Sequence, residues 1–179
     1  MEVHLRCALP DNPGRLAMVA GALGRAGADI QAIDVVEAGD GRALDDLTVV
    51  VERGRVADVV DALNALDGVE VVYAGPSRGL PGDAVARLAL GLESLLNGAM
   101  ALDHAVATLV GGLVGASRAE LVAPGNDPPP SDTVLVLDFH GEHLVVERDY
   151  RFTDAERERV AAILRSCVEA ARARSAPDR

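Results

Sequence analysis

The stretch that decides the fold is ALPDNPGRLAMVAGALGRAGADIQAIDVVEAG, which runs from Ala8 to Gly39. It begins with the end of an alternating apolar strand and passes through a Pro- and Gly-rich turn at Pro10–Gly14. A run with helical spacing follows, and a second strand begins at Asp29. A strand, a turn, a helix and a strand in so short a space predict a compact α+β unit.

The flanking residues extend this pattern. Val3, Leu5, Cys7 and Leu9 alternate as the first strand, and residues 29–37 and 44–52 predict a hairpin around the turn at 38–42. A second helix and the strand 69–74 complete a βαββαβ order. This order predicts a ferredoxin-like antiparallel sheet with both helices on one face. A second copy or the rest of the chain must cover the other face, so we expect a homodimer.

The chemistry of this unit is predicted at the turn into the first helix. Asn12 is suited to cap the helix, Pro13 to its first position, and Gly14 to the close approach of a ligand. The amides of Gly14, Arg15 and Leu16 then face a carboxylate, and Asp11 or the Asn12 amide oxygen faces an ammonium group. An α-amino acid carries both groups. The alternative, in which the turn only caps a helix, remains open at this point.

The same stretch resembles the ACT domain family, in which an Asp-x-Pro-Gly-x-Leu turn joins a strand to a helix and an Ile-rich strand follows. The resemblance covers residues 1–76 and implies a regulatory domain that binds amino acids or similar effectors, commonly between two copies. The implied contacts are Asn12, Pro13, Gly14, Arg15 and Leu16, with Ile30, Gln31 and Ala32 on the facing strand. Some ACT domains only dimerise.

A Gly- and Pro-rich stretch predicts a linker at residues 77–87, followed by a second unit at 88–175. Apolar residues from Leu88 to Leu113 repeat like a coiled-coil seam, but Asn97-Gly98 interrupts them and favours two helices. Strands are predicted at 119–123, 133–139 and 143–150. A capping box, Thr153 to Glu156, then opens a final helix.

This half resembles an abbreviated GAF domain, through LDHAVATLVGGLVGASRAELV (102–122) and LVVERDYRFTDAERERVAAIL (144–164). The resemblance implies a small GAF-like α+β domain. A Pro-rich loop at 123–132 replaces the middle of the fold, where GAF domains hold a ligand. A role in dimerisation or in relaying the state of the first domain fits what remains.

Composition excludes several classes of function. The net charge of −11 and the 2% aromatic content disfavour nucleic-acid binding. All 17 basic residues are Arg, so Schiff-base and phosphate-loop lysines are absent. His140 and His143 flank a turn without further ligands, so no metal or other cofactor is predicted. Asp45, Asp46 and residues 147–149 are expected to face water.

These observations predict a non-enzymatic, cytoplasmic regulator. Cys7 and Cys167 are isolated and expected to be buried, no signal peptide is visible, and the apolar region 88–116 carries charges that a membrane span would not tolerate. The predicted function is the sensing of a small effector, most simply an amino acid, by an ACT dimer with a possible protein partner and no membrane contact. The alternative is an assembly module that binds no ligand.

Overall fold

The computed structural model describes residues 1–77 and 81–175 and divides into two compact units, Met1–Pro81 and Gly82–Arg179. Part of the predicted linker, residues 78–80, lies outside the described residues. The remainder of that prediction needs correction, because residues 81–87 belong to a helix that begins at Pro81. Proline is favoured at the first position of a helix, where its missing N–H has no partner to lose.

The first unit has the predicted βαββαβ order. Its elements are β1 Glu2–Pro10, α1 Arg15–Arg25, β2 Asp29–Gly39, β3 Arg42–Val50, α2 Val56–Asn64 and β4 Glu70–Pro76. The strands form one antiparallel sheet in the order β2-β3-β1-β4, which leaves β2 at an edge. The ferredoxin-like architecture expected from the sequence is therefore confirmed.

The register between β1 and β3 separates an apolar face from a polar one. Leu5 lies opposite Leu47, and both are fully buried with Val19 and Leu23 of α1 in the core of this unit. One residue further along, Arg6 lies opposite Asp46 on the face away from the helices. That face is therefore built around an ion pair, and its covering by a second copy or by the C-terminal unit stays a prediction.

The second unit contains three helices and a small sheet. Its elements are α3 Pro81–Leu96, α4 Leu102–Leu113, β5 Arg118–Val122, β6 Val134–Phe139, β7 Glu142–Glu147 and α5 Asp154–Ser175. The strands are antiparallel in the order β5-β7-β6. The helical region does break at Asn97-Gly98, where Gly98 adopts φ 80°. The GAF-like assignment of this unit stays a prediction.

A buried ion pair fixes the start of α5. Arg148, with 4% of its surface exposed, donates to both carboxylate oxygens of Glu156, at 2.9 Å and 2.5 Å. It also donates to the Val114, Tyr150 and Arg151 carbonyls and stacks over the Phe152 ring at 3.9 Å. The predicted capping box is present, because the Thr153 amide donates to Glu156 and the Glu156 amide donates to Thr153 Oγ1.

Replacing Arg148 tests how much this network supports the second unit. Arg148→Met leaves the Glu156 carboxylate buried without its partner, so we expect a loss of about 3–5 kcal/mol in the free energy of unfolding. Chemical denaturation measures it. Arg172→Met is the control, because Arg172 is an exposed residue of α5 paired with Glu169, and the loss in this variant should stay below about 1 kcal/mol. Equal losses in the two variants would contradict the prediction.

Candidate functional site

The turn between β1 and α1 differs from the predicted cap. Helix α1 begins at Arg15, and Gly14 is its N-cap residue, with φ 87° and no side-chain cap. Asn12 therefore does not cap the helix with its side chain, and Pro13 does not occupy its first position. Instead the Asn12 carbonyl accepts from the Arg15 amide at 3.2 Å, and the Asp11 amide donates to the Gly41 carbonyl at 2.9 Å.

This geometry leaves backbone donors at the start of α1. Within residues 1–77 and 81–175, the amides of Gly14, Leu16 and Ala17 have no hydrogen-bond acceptor. The Arg15 amide, predicted to be free, is engaged with Asn12. A Cβ placed on Gly14 would meet nothing within 4 Å, so the space beside this residue is open. An anion bound at the start of α1 would meet unpaired N–H groups and the positive end of the helix dipole.

The Arg15 side chain borders the turn on the side of α2. Its Nη1 donates to the Asp67 carbonyl at 3.0 Å. Its Nε is buried and, among the described residues, has no hydrogen-bond partner. A buried guanidinium nitrogen without an acceptor carries an uncompensated desolvation penalty, and a ligand oxygen would remove it.

The residues predicted on the facing strand lie far from the turn within one chain. Ile30 pairs with Val49 and Ala32 with Thr48, near the start of β1, whereas the turn follows the end of β1 and lies level with Gly39. Gln31 lies between them, exposed, and donates to Asp29 at 2.7 Å. Residues 31 and 38 are seven positions apart along β2, which corresponds to a distance of about 23 Å. A single chain therefore does not bring the two halves of the predicted site together.

Asp45 is a candidate that sequence reasoning missed, since it was expected to face water. It is only 2% exposed, and its Oδ1 is buried without a hydrogen-bond partner in the described residues. The register places it between Cys7 of β1 and Val35 of β2, on the helix-facing side. The alternation with Leu47 and Val49 in LDDLTVVVE was the signal, because alternate strand residues share a face.

Burial and neighbouring charged groups shift the pKa values of Asp45 and Asp46 in opposite directions. Burial, with the charges of Asp11, Asp46 and Asp34, raises the pKa of Asp45. Burial also acts on Asp46, but hydrogen bonds from Arg6 and then His4 outweigh it and hold the pKa of Asp46 below its usual value. Arg6 Nε lies 2.7 Å from Asp46 Oδ1, and His4 Nε2 lies 3.1 Å from it. Only Asp46 therefore has cationic partners.

Cys7 lies beside Asp45 and is chemically quiet. Burial first, and then the charges of Asp45 and Asp46, raise the pKa of this thiol to about 12. Burial also raises the pKa of Cys167 in the second unit. Both cysteines are buried and unpaired, as predicted, and neither thiol ionises near neutral pH.

The opposite shifts give a pH test on two neighbouring residues. A carboxyl whose pKa is raised by folding destabilises the protein as pH rises, so Asp45→Asn should gain stability relative to wild type between about pH 3 and 7. A carboxyl whose pKa is lowered stabilises the protein above its unfolded pKa, so Asp46→Asn should lose stability over the same interval. Urea denaturation at several pH values measures both, and trends of the same sign would contradict the assignment.

His140 and His143 do not meet at a metal site in the described residues. His143 Nδ1 lies 2.8 Å from Asp127 and its Nε2 lies 3.3 Å from Asp138, so this side chain of β7 contacts both the Pro-rich loop and strand β6. His140 packs edge-on against Phe139. Across the described ranges, no cluster of three or more His, Cys, Asp or Glu residues is placed to hold a metal ion. None of the described helices has the length and apolar character needed to cross a membrane.

Residues 3–68 match the family model of the ACT domain. These residues form an ACT domain. ACT domains are typically regulatory, ligand-binding modules of enzymes of amino-acid metabolism. A comparison with curated proteins gave no match.

Solved structures show likeness at low identity. The ACT domain of GTP pyrophosphokinase from Chlorobium tepidum is 20% identical, with a TM-score of 0.35, and covers 45% of this chain and 90% of its own. The regulatory subunit of aspartate kinase from Thermus thermophilus is 15% identical, with a TM-score of 0.39. The match covers 94% of this chain and 91% of that subunit. The corresponding subunit from Thermus flavus is 14% identical, with a TM-score of 0.35, and its match covers 95% of this chain and 97% of that subunit.

Proposed function

We propose that this protein is a non-catalytic regulator that binds an α-amino acid at the β1–α1 turn of its ACT domain. The observation that supports this most directly is the turn itself. Gly14 adopts φ 87°, the space beside it is open, and three amides at the start of α1 have no acceptor in the described residues. Helix N-termini of this kind bind carboxylates.

The groups around the turn suit the rest of an α-amino acid. The Asp11 carboxylate and the side-chain oxygen of Asn12 are exposed next to the amides and can accept from an α-ammonium group. Leu16 in the first turn of α1 is exposed and supplies apolar surface for a side chain. Donors for a carboxylate, acceptors for an ammonium group and an apolar side chain thus lie on one short segment.

A dimer formed through β2 would complete this site. β2 is an edge strand, and its Ile33 and Val35 are 40% and 54% exposed, so its edge and its apolar side chains are both available. If two β2 strands pair antiparallel about Asp34, residue 30 of one chain lies level with residue 38 of the other. The partner copy then brings its Ile30, Gln31 and Ala32 to the turn that they cannot reach within their own chain.

The second unit is proposed to relay the ligand state or to strengthen the dimer, and the whole chain to act without catalysis. Its buried Arg148–Glu156 pair has a structural role, and both thiols are held in the neutral form. An assembly module without a ligand is the second candidate, because the exposed apolar residues of β2 would support dimerisation alone. The two functions differ only in whether the turn is occupied.

A thermal-shift screen against the twenty L-amino acids tests the proposal. A ligand at a hundredfold its Kd adds about 2.7 kcal/mol to the stability of the folded state, which gives a clear rise in Tm. Gly14→Asp should abolish this rise, because it places a side chain and a like charge where the carboxylate binds. A wild-type protein that responds to no amino acid would instead support the assembly module.

Gly54→Asp is the matched control for Gly14→Asp. Gly54 also has a positive φ, 96°, a Cβ added to it would meet nothing within 4 Å, and it precedes helix α2. The strain and the added charge are therefore alike in the two variants. The control should lose stability as Gly14→Asp does but keep the response to the ligand, and loss of the response in both variants would contradict the proposed site.

The dimer is tested by Val35→Glu. Val35 is more than half exposed, so the change should leave the folded chain intact, while each copy would add a carboxylate beside Asp45 near the centre of the β2 pairing. We expect the mass in solution, measured by light scattering, to fall from dimer to monomer. Val72→Glu, on an exposed position of the opposite edge strand, serves as control and should stay dimeric.

A further inference from the structure

We infer that Asp45 is the charge partner of a cationic group on the effector, and that the effector is an amino acid with a positively charged side chain. The inference rests on the proposed function, because the turn at Gly14 must hold the α-carboxylate. It adds a residue on β3, outside the turn and the strand that the sequence predicted, and it names the class of ligand.

Asp45 lies towards the end of the sheet that carries the β1–α1 turn. It lies on the helix-facing side of β3, level with Val35, and only three positions along the strand from Arg42, which pairs with Pro10 before the turn. Ile33 and Val35 share that side at the β2 edge and remain exposed. Two exposed apolar side chains of β2 thus border the buried Asp45, and we place the ligand side chain along them, with its cationic group against the Asp45 carboxyl.

The charges of this region are unbalanced. Asp11 at the turn and Asp34 on β2 both act on Asp45, yet within the described ranges none of these three carboxylates forms an ion pair. Asp46, the next residue, shows the contrast, since Arg6 and His4 both contact it. The guanidinium of Arg15 is directed to the Asp67 carbonyl.

An unpartnered carboxyl at this depth destabilises the folded chain, so packing alone gives no reason for it. A cation supplied by the ligand would remove that penalty and add a charge-assisted hydrogen bond. The same negative field would repel a ligand with an acidic side chain and leave an aliphatic one without benefit. The site therefore selects a basic side chain over an uncharged side chain of equal length.

Matched ligand pairs test this in the wild-type protein. Isothermal titration of the full chain compares lysine with norleucine, ornithine with norvaline and arginine with citrulline, so each pair differs mainly in the cationic group. We expect at least one basic member to bind about tenfold or more tightly than its uncharged counterpart, the factor a charged hydrogen bond of about 1.5–3 kcal/mol produces.

Asp45→Asn assigns the effect to the residue. This substitution should lower the affinity for the basic ligand to that of its uncharged counterpart, and it should leave the affinity for the uncharged ligand unchanged. Asp61→Asn removes the same charge from an exposed position of α2 and should leave both affinities unchanged. Because the ligand pairs already test the cationic preference in the wild-type protein, poor folding of a variant leaves that test intact.

The failures of the inference and of the proposed function are distinguishable. Equal binding within every pair overturns the cationic ligand and leaves amino-acid sensing intact. An advantage that survives Asp45→Asn, or that Asp61→Asn removes as well, overturns the role of Asp45 in favour of the general field of the protein. The absence of binding by any of the twenty amino acids overturns both the inference and the proposed function.

Discussion

The register between β1 and β3 is the constraint on which the first unit depends. Because side chains alternate along a strand, a slip of one residue would move every side chain to the other face. The observed pairing of Leu5 with Leu47 sends the apolar residues towards the helices and the Arg6–Asp46 pair away from them. It also turns Asp45 to the helix-facing side, so one alignment creates both the core and the buried, unpartnered carboxyl at its margin.

The order of elements in this unit is readable from the sequence because its signals are local. The alternation of Val3, Leu5, Cys7 and Leu9, the helical spacing after the turn and the Gly-rich hairpin each follow from neighbouring residues. The details of the turn are not readable in this way. Asn12 and Pro13 match a common cap, but the helix starts at Arg15 because Gly14 takes the left-handed conformation and the Asn12 carbonyl binds the Arg15 amide.

The candidate site is only partly predictable, because it depends on contacts between distant segments. The resemblance places Ile30 and its neighbours on a strand that faces the turn, yet the register puts them at the other end of the sheet. Asp45 is predicted to be solvated because two adjacent acids suggest a surface. In the second unit, four neighbouring residues are enough to predict the capping box, whereas Arg148, the partner of Glu156, is found only in the fold.

The unpartnered Asp45 carboxyl also bears on the lifetime of the protein in a cell. A buried charge without a partner lowers the free energy needed to open the sheet locally, and local opening is what proteases exploit. A bound cation that neutralises this carboxyl would stabilise only the closed form. If an effector supplied that cation, the amount of the protein would rise with the supply of the effector, without any change in synthesis, because the occupied chain would be degraded more slowly than the empty one.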